Sequence, residues 1–173
     1  MTDRPHVRPM QADDIEPVLR IQASVYPATL LEDAALFQNR LEISPGTCQV
    51  AEGPAGLLGY LVAYPWLADH PPALNTPLDA VPRDADSWFV HDCAVLPAAQ
   101  GLGVAQALLQ GGLEHARRRG LCHTSLVALR PAVSYWERLG YRAAAAHAGL
   151  RTKLAQYGAG ARYMVRSLEK PRG

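Results

Sequence analysis

Two glycines at one strand-to-helix junction carry the clearest chemical signal in the chain. The run Asp92-Cys93-Ala94-Val95-Leu96-Pro97-Ala98-Ala99-Gln100-Gly101-Leu102-Gly103-Val104-Ala105 begins apolar, breaks at a proline and enters an amphipathic helix. Amides at the start of a helix have no carbonyl to bond and lie at the positive end of the peptide dipoles, so they attract a phosphate. Glycine lets phosphate oxygens approach that main chain with no side chain in the way. The first inference is a phosphorylated ligand, best a diphosphate, held by the backbone of residues 101–105.

Two common phosphate loops fail on their residues. A Walker A loop needs Gly-Lys-Ser or Gly-Lys-Thr entering the helix, whereas Val104 and Ala105 follow Gly103. A dinucleotide fingerprint needs a third glycine where Gln106 stands, and an acidic residue closing a second strand. The nearby strand candidate, residues 122–129, has none. What fits is Gln/Arg-x-x-Gly-x-Gly/Ala, met by Gln100, Gly103 and Ala105. This motif resembles the acetyl-CoA pyrophosphate loop of the GNAT superfamily of N-acetyltransferases. Further along, Ser134-Tyr135-Trp136-Glu137-Arg138-Leu139-Gly140-Tyr141 is similar to the family's aromatic-Tyr-x-x-x-Gly-Phe signature, in the family's order and at its separation. The resemblance extends across most of the chain.

The resemblance implies direct acetyl transfer from acetyl-CoA to a primary amine, without an acyl-enzyme. It implies coenzyme contacts from Gln100, Gly101, Leu102, Gly103, Val104 and Ala105. It also implies that the main chain of Cys93, Ala94 and Val95 polarises the thioester carbonyl, and that Trp136 flanks the thioester. Arg130 is a candidate for the coenzyme's phosphates. His91 is the candidate base: its ordinary pKa of about 6.5 suits proton acceptance near neutral pH. The segment His91-Asp92-Cys93-Ala94-Val95 also resembles the His-x-Leu-Ala-Val of arylalkylamine-type members. Strand alternation would send His91 and Asp92 to opposite faces unless a bulge intervenes. Asp92 is a candidate for binding a cationic substrate.

The acid that protonates the leaving thiolate is less well marked. The family places tyrosine where this chain has Trp136, and an indole N–H does not yield a proton at working pH. Tyr135 is its neighbour, about 100° away around a helix, and is the candidate acid by a shifted register. Water or another tyrosine are the other routes. The asparagine that often opens the motif is replaced by Leu129 or Arg130. Cys93 is a poor nucleophile candidate, because no histidine is paired to it by a local signature and cysteines of core strands are usually inert. The six histidines have no metal-ligand spacing, so no metal is expected.

Positioning these residues requires an α/β domain with a mixed sheet flanked by helices and splayed around a coenzyme wedge, the GNAT fold, as one domain over residues 1–173. A short strand at residues 6–10 leads to a helix ending near Val25, with Asp13 or Asp14 as N-cap and Glu16 completing a capping box with Asp13. A second helix spans 31–43. Strands at 47–52 and 57–64 form a hairpin that Pro65 closes. Residues 65–86 hold five prolines and several aspartates and read as a long irregular loop. Trp66 and Leu67 suggest that the loop packs near the substrate entrance, and Trp66 is a candidate contact for an aromatic or hydrophobic amine.

The central strand covers 88–96. The helix after the glycine turn buries Val104, Leu108, Leu109, Leu113 and Ala116, with Arg117, Arg118 and Arg119 suited to its negative end and Gly120 to its cap. Strands at 123–129, 141–146 and 161–168 complete the sheet.

Composition narrows the class without naming it. With 49% hydrophobic and 19% charged residues, the 173-residue chain belongs among soluble globular proteins with a sizeable core. A net charge of +1 gives no electrostatic case for nucleic acid. No apolar run reaches membrane-span length, and Met1-Thr2-Asp3-Arg4-Pro5 lacks a signal-peptide core. Cys48, Cys93 and Cys122, odd in number and widely spaced, fit free thiols in a cytoplasmic protein. The expected partner is a small-molecule amine, with no membrane and no nucleic acid; a homodimer is left open. The rival readings are a non-catalytic acyl-CoA-binding module and an acetyltransferase acting on a protein N-terminus or lysine.

Overall fold

The computed structural model describes residues 4–169. Its spine is β3 (Gly56–Trp66), whose side chains are apolar to both sides. Tyr60, Val62 and Tyr64 enter one core with Ile15, Val18 and Ile21 of α1 (Ile15–Val25) and Phe37 of α2 (Ala34–Ile43). Leu61 and Ala63 enter the other with Val104, Leu108, Leu109, Leu113 and Ala116 of α3 (Val104–Arg118). Burial of a Leu or Val side chain contributes about 1.5–3 kcal/mol, so the apolar stripe of α3 holds that helix to the sheet without help from specific polar contacts. Gly120, at φ +73°, ends the helix as expected of a left-handed cap.

The remaining strands are β1 (His6–Pro9), β2 (Gln49–Gly53), β4 (Ser87–Val95), β5 (His123–Ala128), β6 (Arg142–Ala143) and β7 (Arg162–Ser167). They form one sheet in the order β1-β2-β3-β4-β5-β7-β6. Every neighbouring pair is antiparallel except β4 and β5. That parallel pair is joined only from Trp88–Thr124 to Val90–Leu126. Beyond Val90 the two strands part, while β5 stays paired with β7 to Ala128. The sheet is therefore split on the C-terminal side of its centre, as the wedge of the sequence reading requires. Two further helices, α4 (Val133–Arg138) and α5 (Ala148–Gln156), follow β5 and β6.

Four local expectations are corrected. Pro65 does not close the hairpin: it lies inside β3 opposite Trp88. Beyond Leu61, β2 no longer runs beside β3, and an edge tolerates a residue without an N–H. The strand expected at 141–146 shrinks to Arg142–Ala143; Tyr141 closes the turn that follows α4, its amide bonding the Trp136 carbonyl at 3.1 Å. Helix α2 starts at Ala34 rather than at residue 31, leaving Glu32 in extended chain.

The capping box is formed by Gln11 and Asp14, not Asp13 and Glu16. The Gln11 amide donates to Asp14 Oδ2 at 2.8 Å, while Glu16 pairs with Arg20. Asp14 also receives a two-pronged contact from Arg8 at 2.7 and 2.8 Å, tying β1 to the start of α1. The Arg8 hydrogen bond holds the Asp14 carboxyl below its ordinary range. A depressed carboxylate stabilises the fold above its unfolded pKa of about 3.9 and loses that contribution as pH falls through the folded value. Arg8→Met is expected to cost about 1–3 kcal/mol at pH 7 by urea denaturation, with the difference from wild type shrinking as pH falls below about 4.

Candidate active site

Leu96 turns the chain out of β4, and a short turn at Pro97–Ala99 delivers it to Gly101 and Gly103. Both glycines are left-handed, at φ +80° and +76°. An added Cβ at Gly101 would meet nothing within 4 Å, and at Gly103 only Gln106 Oε1 at 3.8 Å. The surface above this main chain is open. The Ala107 amide bonds the Gly103 carbonyl at 3.0 Å, the first such contact of α3. The amides of Val104, Ala105 and Gln106 lie ahead of it at the positive helix end, where no intrahelical carbonyl precedes them.

Gln100, Gly101, Gly103, Val104 and Ala105 line a cavity of about 580 Å³ that continues into the split between β4 and β5. Cys93, Ala94 and Val95 line it from the β4 side, and Tyr135 and Trp136 from α4. Two coenzyme contacts expected from the sequence fall elsewhere. Leu102 is 59% exposed and its amide bonds the Ala99 carbonyl, so it stands outside this cavity. Arg130 does not line it either: its aliphatic stem packs beneath Gly160.

Within β4, Val62 stands opposite Asp92 and Ala63 opposite Val90, so His91 is the extra residue of a β-bulge. The bulge cancels the alternation that would have separated the two polar side chains. His91 turns to the α1 face beside Tyr64 and Phe89, and Asp92 turns to the same face beside Tyr60. Both line the cavity.

Asp92 is gripped by two phenols: Tyr26 donates to Oδ1 at 2.7 Å and Tyr60 to Oδ2 at 2.5 Å. Burial pushes the Asp92 carboxyl above its ordinary range, partly offset by these two hydrogen bonds. His91 Nε2 lies 2.6 Å from Glu32 Oε1, and its Nδ1 lies 3.3 Å from the Tyr64 hydroxyl. Their side chains are 1% and 5% exposed. Burial would raise the Glu32 carboxyl, but the His91 hydrogen bond and charge, aided by the Asn75 amide, hold it below its ordinary range.

Sequence reasoning missed Glu32, Tyr26 and Tyr60. Glu32 is fixed from three directions: Gln22 bonds its amide and carbonyl, Asn75 donates to Oε2, and His91 meets Oε1. Those long-range bonds hold residues 31–33 out of α2. Asn75 belongs to the long loop, which the structure shows anchored to the α5 side by Lys153–Pro71 and His147–Asp69 contacts. Leu74 of this loop lines the cavity, whereas Trp66 does not. The Trp66 indole instead donates to the His70 carbonyl, and its ring meets Tyr64 edge-on.

Tyr135 Oη is buried and makes no hydrogen bond among the described residues. Burial raises its pKa, so at neutral pH it holds an uncommitted proton. Cys93 is pushed up to about 12 by burial and the neighbouring Asp92, which leaves it a thiol. No group of three or more His, Cys, Asp or Glu among the described residues is placed to hold a metal ion, and no helix among them is long and apolar enough to cross a membrane.

Residues 15–141 match the sequence model of the Acetyltransferase (GNAT) family, a span that includes the glycine turn, the bulged strand and α4. The chain belongs to the GNAT acetyltransferase family. No curated protein matches it in sequence. Among solved structures, the GNAT-like decarboxylase GphF in complex with isobutyryl-CoA is similar at a TM-score of 0.76 and 16% identity, over 95% of this chain and 100% of that one. Ard1 from Thermoplasma volcanium gives 0.71 and 16%, over 96% and 99%. The ribosomal-protein-S18-alanine N-acetyltransferase from Escherichia coli gives 0.65 and 15%, over 98% and 96%. At these identities the likeness is one of fold: the seven-stranded mixed sheet split at β4 and β5 is the GNAT fold. Neighbours as different as a GNAT-like decarboxylase and an alanine N-acetyltransferase leave the acceptor to be argued from this chain's own cavity.

Proposed function

We propose that this GNAT protein is an N-acetyltransferase that uses acetyl-CoA and acetylates the primary amine of a small molecule. The reading rests on one continuous cavity, with a cradle of free amides at one end and two carboxylates, Glu32 buried and Asp92 half-buried, at the other. The cradle fits the coenzyme, because its left-handed glycines leave main-chain amides open to a diphosphate. When bound, acetyl-CoA supplies the activated acetyl group as a thioester.

This chain's residues then have separable tasks. The amides of residues 103–106 hold phosphate charge, and Gln100 and Gly101 border them. The β4 edge at Cys93, Ala94 and Val95, released from β5, offers main-chain groups to orient the pantetheine arm and polarise a carbonyl. Trp136 walls the thioester region. An amine arrives as an ammonium ion and must lose a proton before it can attack. Both His91 nitrogens face protein groups, so His91 serves as base through Glu32: the carboxylate touches the cavity, and the imidazole shares the proton across the 2.6 Å contact. Tyr64 can accept from Nδ1–H when the ring is charged, since a hydroxyl both donates and accepts. Tyr135, on the cavity wall with an unshared hydroxyl proton, is the acid for the departing thiolate in this reading.

The test is CoA release from acetyl-CoA with a panel of small primary amines, alongside calorimetry with CoA. Saturable release together with measurable heat is expected. Binding without release on any amine would turn the reading to an acyl-CoA-binding module. Release only with peptides would move the acceptor to a protein.

A further inference from the structure

We propose that the acceptor end of the cavity selects an apolar primary amine that bears no carboxylate, seating its ammonium group against Asp92 and Glu32. The proposal rests on the transferase reading and specifies its acceptor.

Charge is the first argument. Among the described residues that line the cavity, Glu32 and Asp92 are the acids and no lysine or arginine is present. An amino acid would bring its own carboxylate into a site with two acids, Glu32 buried and Asp92 half-buried, whose imidazole, His91, is already committed to Glu32, and like charges shielded from water repel strongly. The nearby buried cation is Arg40, which lies behind Tyr64 at 5.4 Å from the ring centroid. Arg40 donates to Asn39 Oδ1 and to the Thr76 carbonyl and does not reach the cavity.

Hydrogen-bonding capacity is the second argument. Each Asp92 oxygen accepts one phenol, and a carboxylate oxygen has lone pairs for about two contacts. An ammonium group can therefore bind without displacing Tyr26 or Tyr60. Burial raises the Asp92 pKa in the free protein, and a neighbouring cation would draw it back down. The walls beside the acids are apolar, from Val25 and Leu30 on one side and Leu74 of the long loop on the other. They offer an aliphatic or aromatic tail burial and no hydrogen bonds.

Matched pairs that differ only in the carboxylate test this directly: 2-phenylethylamine against phenylalanine, and isoamylamine against leucine. Each is titrated by calorimetry into the CoA-bound protein and assayed for CoA release. Each amine is expected to bind at least about thirtyfold more tightly than its amino acid, the scale set by an uncompensated buried charge. Asp92→Asn should weaken amine binding about tenfold or more and narrow the gap within each pair. It should also leave the Tm at pH 7 close to wild type, because the Asn oxygen still accepts one phenol and its NH2 can donate to the other hydroxyl. A residue with only a structural role would not change acceptor discrimination while preserving Tm. If Asp92→Asn fails to fold, Glu32→Gln is read for the same narrowing.

Equal or tighter binding of the amino acids, no binding of either member, or an unchanged gap in a folded variant would overturn the proposal. Amine-selective binding without CoA release would leave it standing and remove the transferase reading instead.

Discussion

Gly103→Val is expected to raise the KM for acetyl-CoA, and the dissociation constant for CoA, by about a hundredfold or more. Gly103 is the left-handed N-cap of α3 at φ +76°, a conformation that costs an L-residue about 1–2 kcal/mol and a β-branched one more. Space does not oppose the substitution, since a Cβ there would meet only Gln106 Oε1 at 3.8 Å. The loss comes from backbone relaxation that misaims the amides of residues 103–106. Each hydrogen bond to a charged oxygen lost in this way costs about 1.5–3 kcal/mol. Strain and one such loss together amount to roughly 3–4 kcal/mol, or two to three decades in affinity. Leu102→Ala is the control, because that side chain is exposed and away from the cavity, and it should leave both constants within about twofold. If Gly103→Val folds and binds CoA like wild type, the amide cradle is not the coenzyme site.

The contrast between Gly103 and Glu32 explains what the sequence made legible. The glycine turn is local: a strand, a break and an amphipathic helix follow one another in the chain, and hydrophobic period with turn chemistry specifies them. The Val104–Ala116 stripe and the Gly120 cap were readable for the same reason. Glu32 is fixed by Gln22, Asn75 and His91, partners far away in sequence. Nothing in the local pattern marks residues 31–33 as pulled out of α2. The His91 bulge lies between. Alternation allowed for it without locating it, because the extra residue is defined by the register of β4 against β3. Tyr26 and Tyr60 come from α1's end and from β3, and only the tertiary structure brings their hydroxyls to one carboxylate. Trp66 shows the opposite failure. Its residue type suggested a substrate contact, yet it is used to hold the loop's first turn through His70.

Glu32→Gln is expected to lower kcat/KM by about 10²–10³-fold near neutral pH, within the usual range for a general-base contribution. The amide keeps the shape but cannot take a proton from the amine or stabilise charge on His91. His91→Ala should cost a similar factor, and the double variant scarcely more than either single one, because residues that share one proton act as a unit. Additive losses would mean that the two act separately, and less than about a threefold change in either would remove the pair as base. Stability supplies an independent check. The Glu32 carboxyl is held below its ordinary range by His91 against the opposing effect of burial. It therefore stabilises the fold above its unfolded pKa of about 4.3 and loses that contribution as pH falls through the lower folded value. Urea denaturation should place Glu32→Gln about 1–3 kcal/mol below wild type at pH 7. The two stabilities should converge as pH falls below about 4, since protonated Glu32 in wild type then resembles the amide that replaces it.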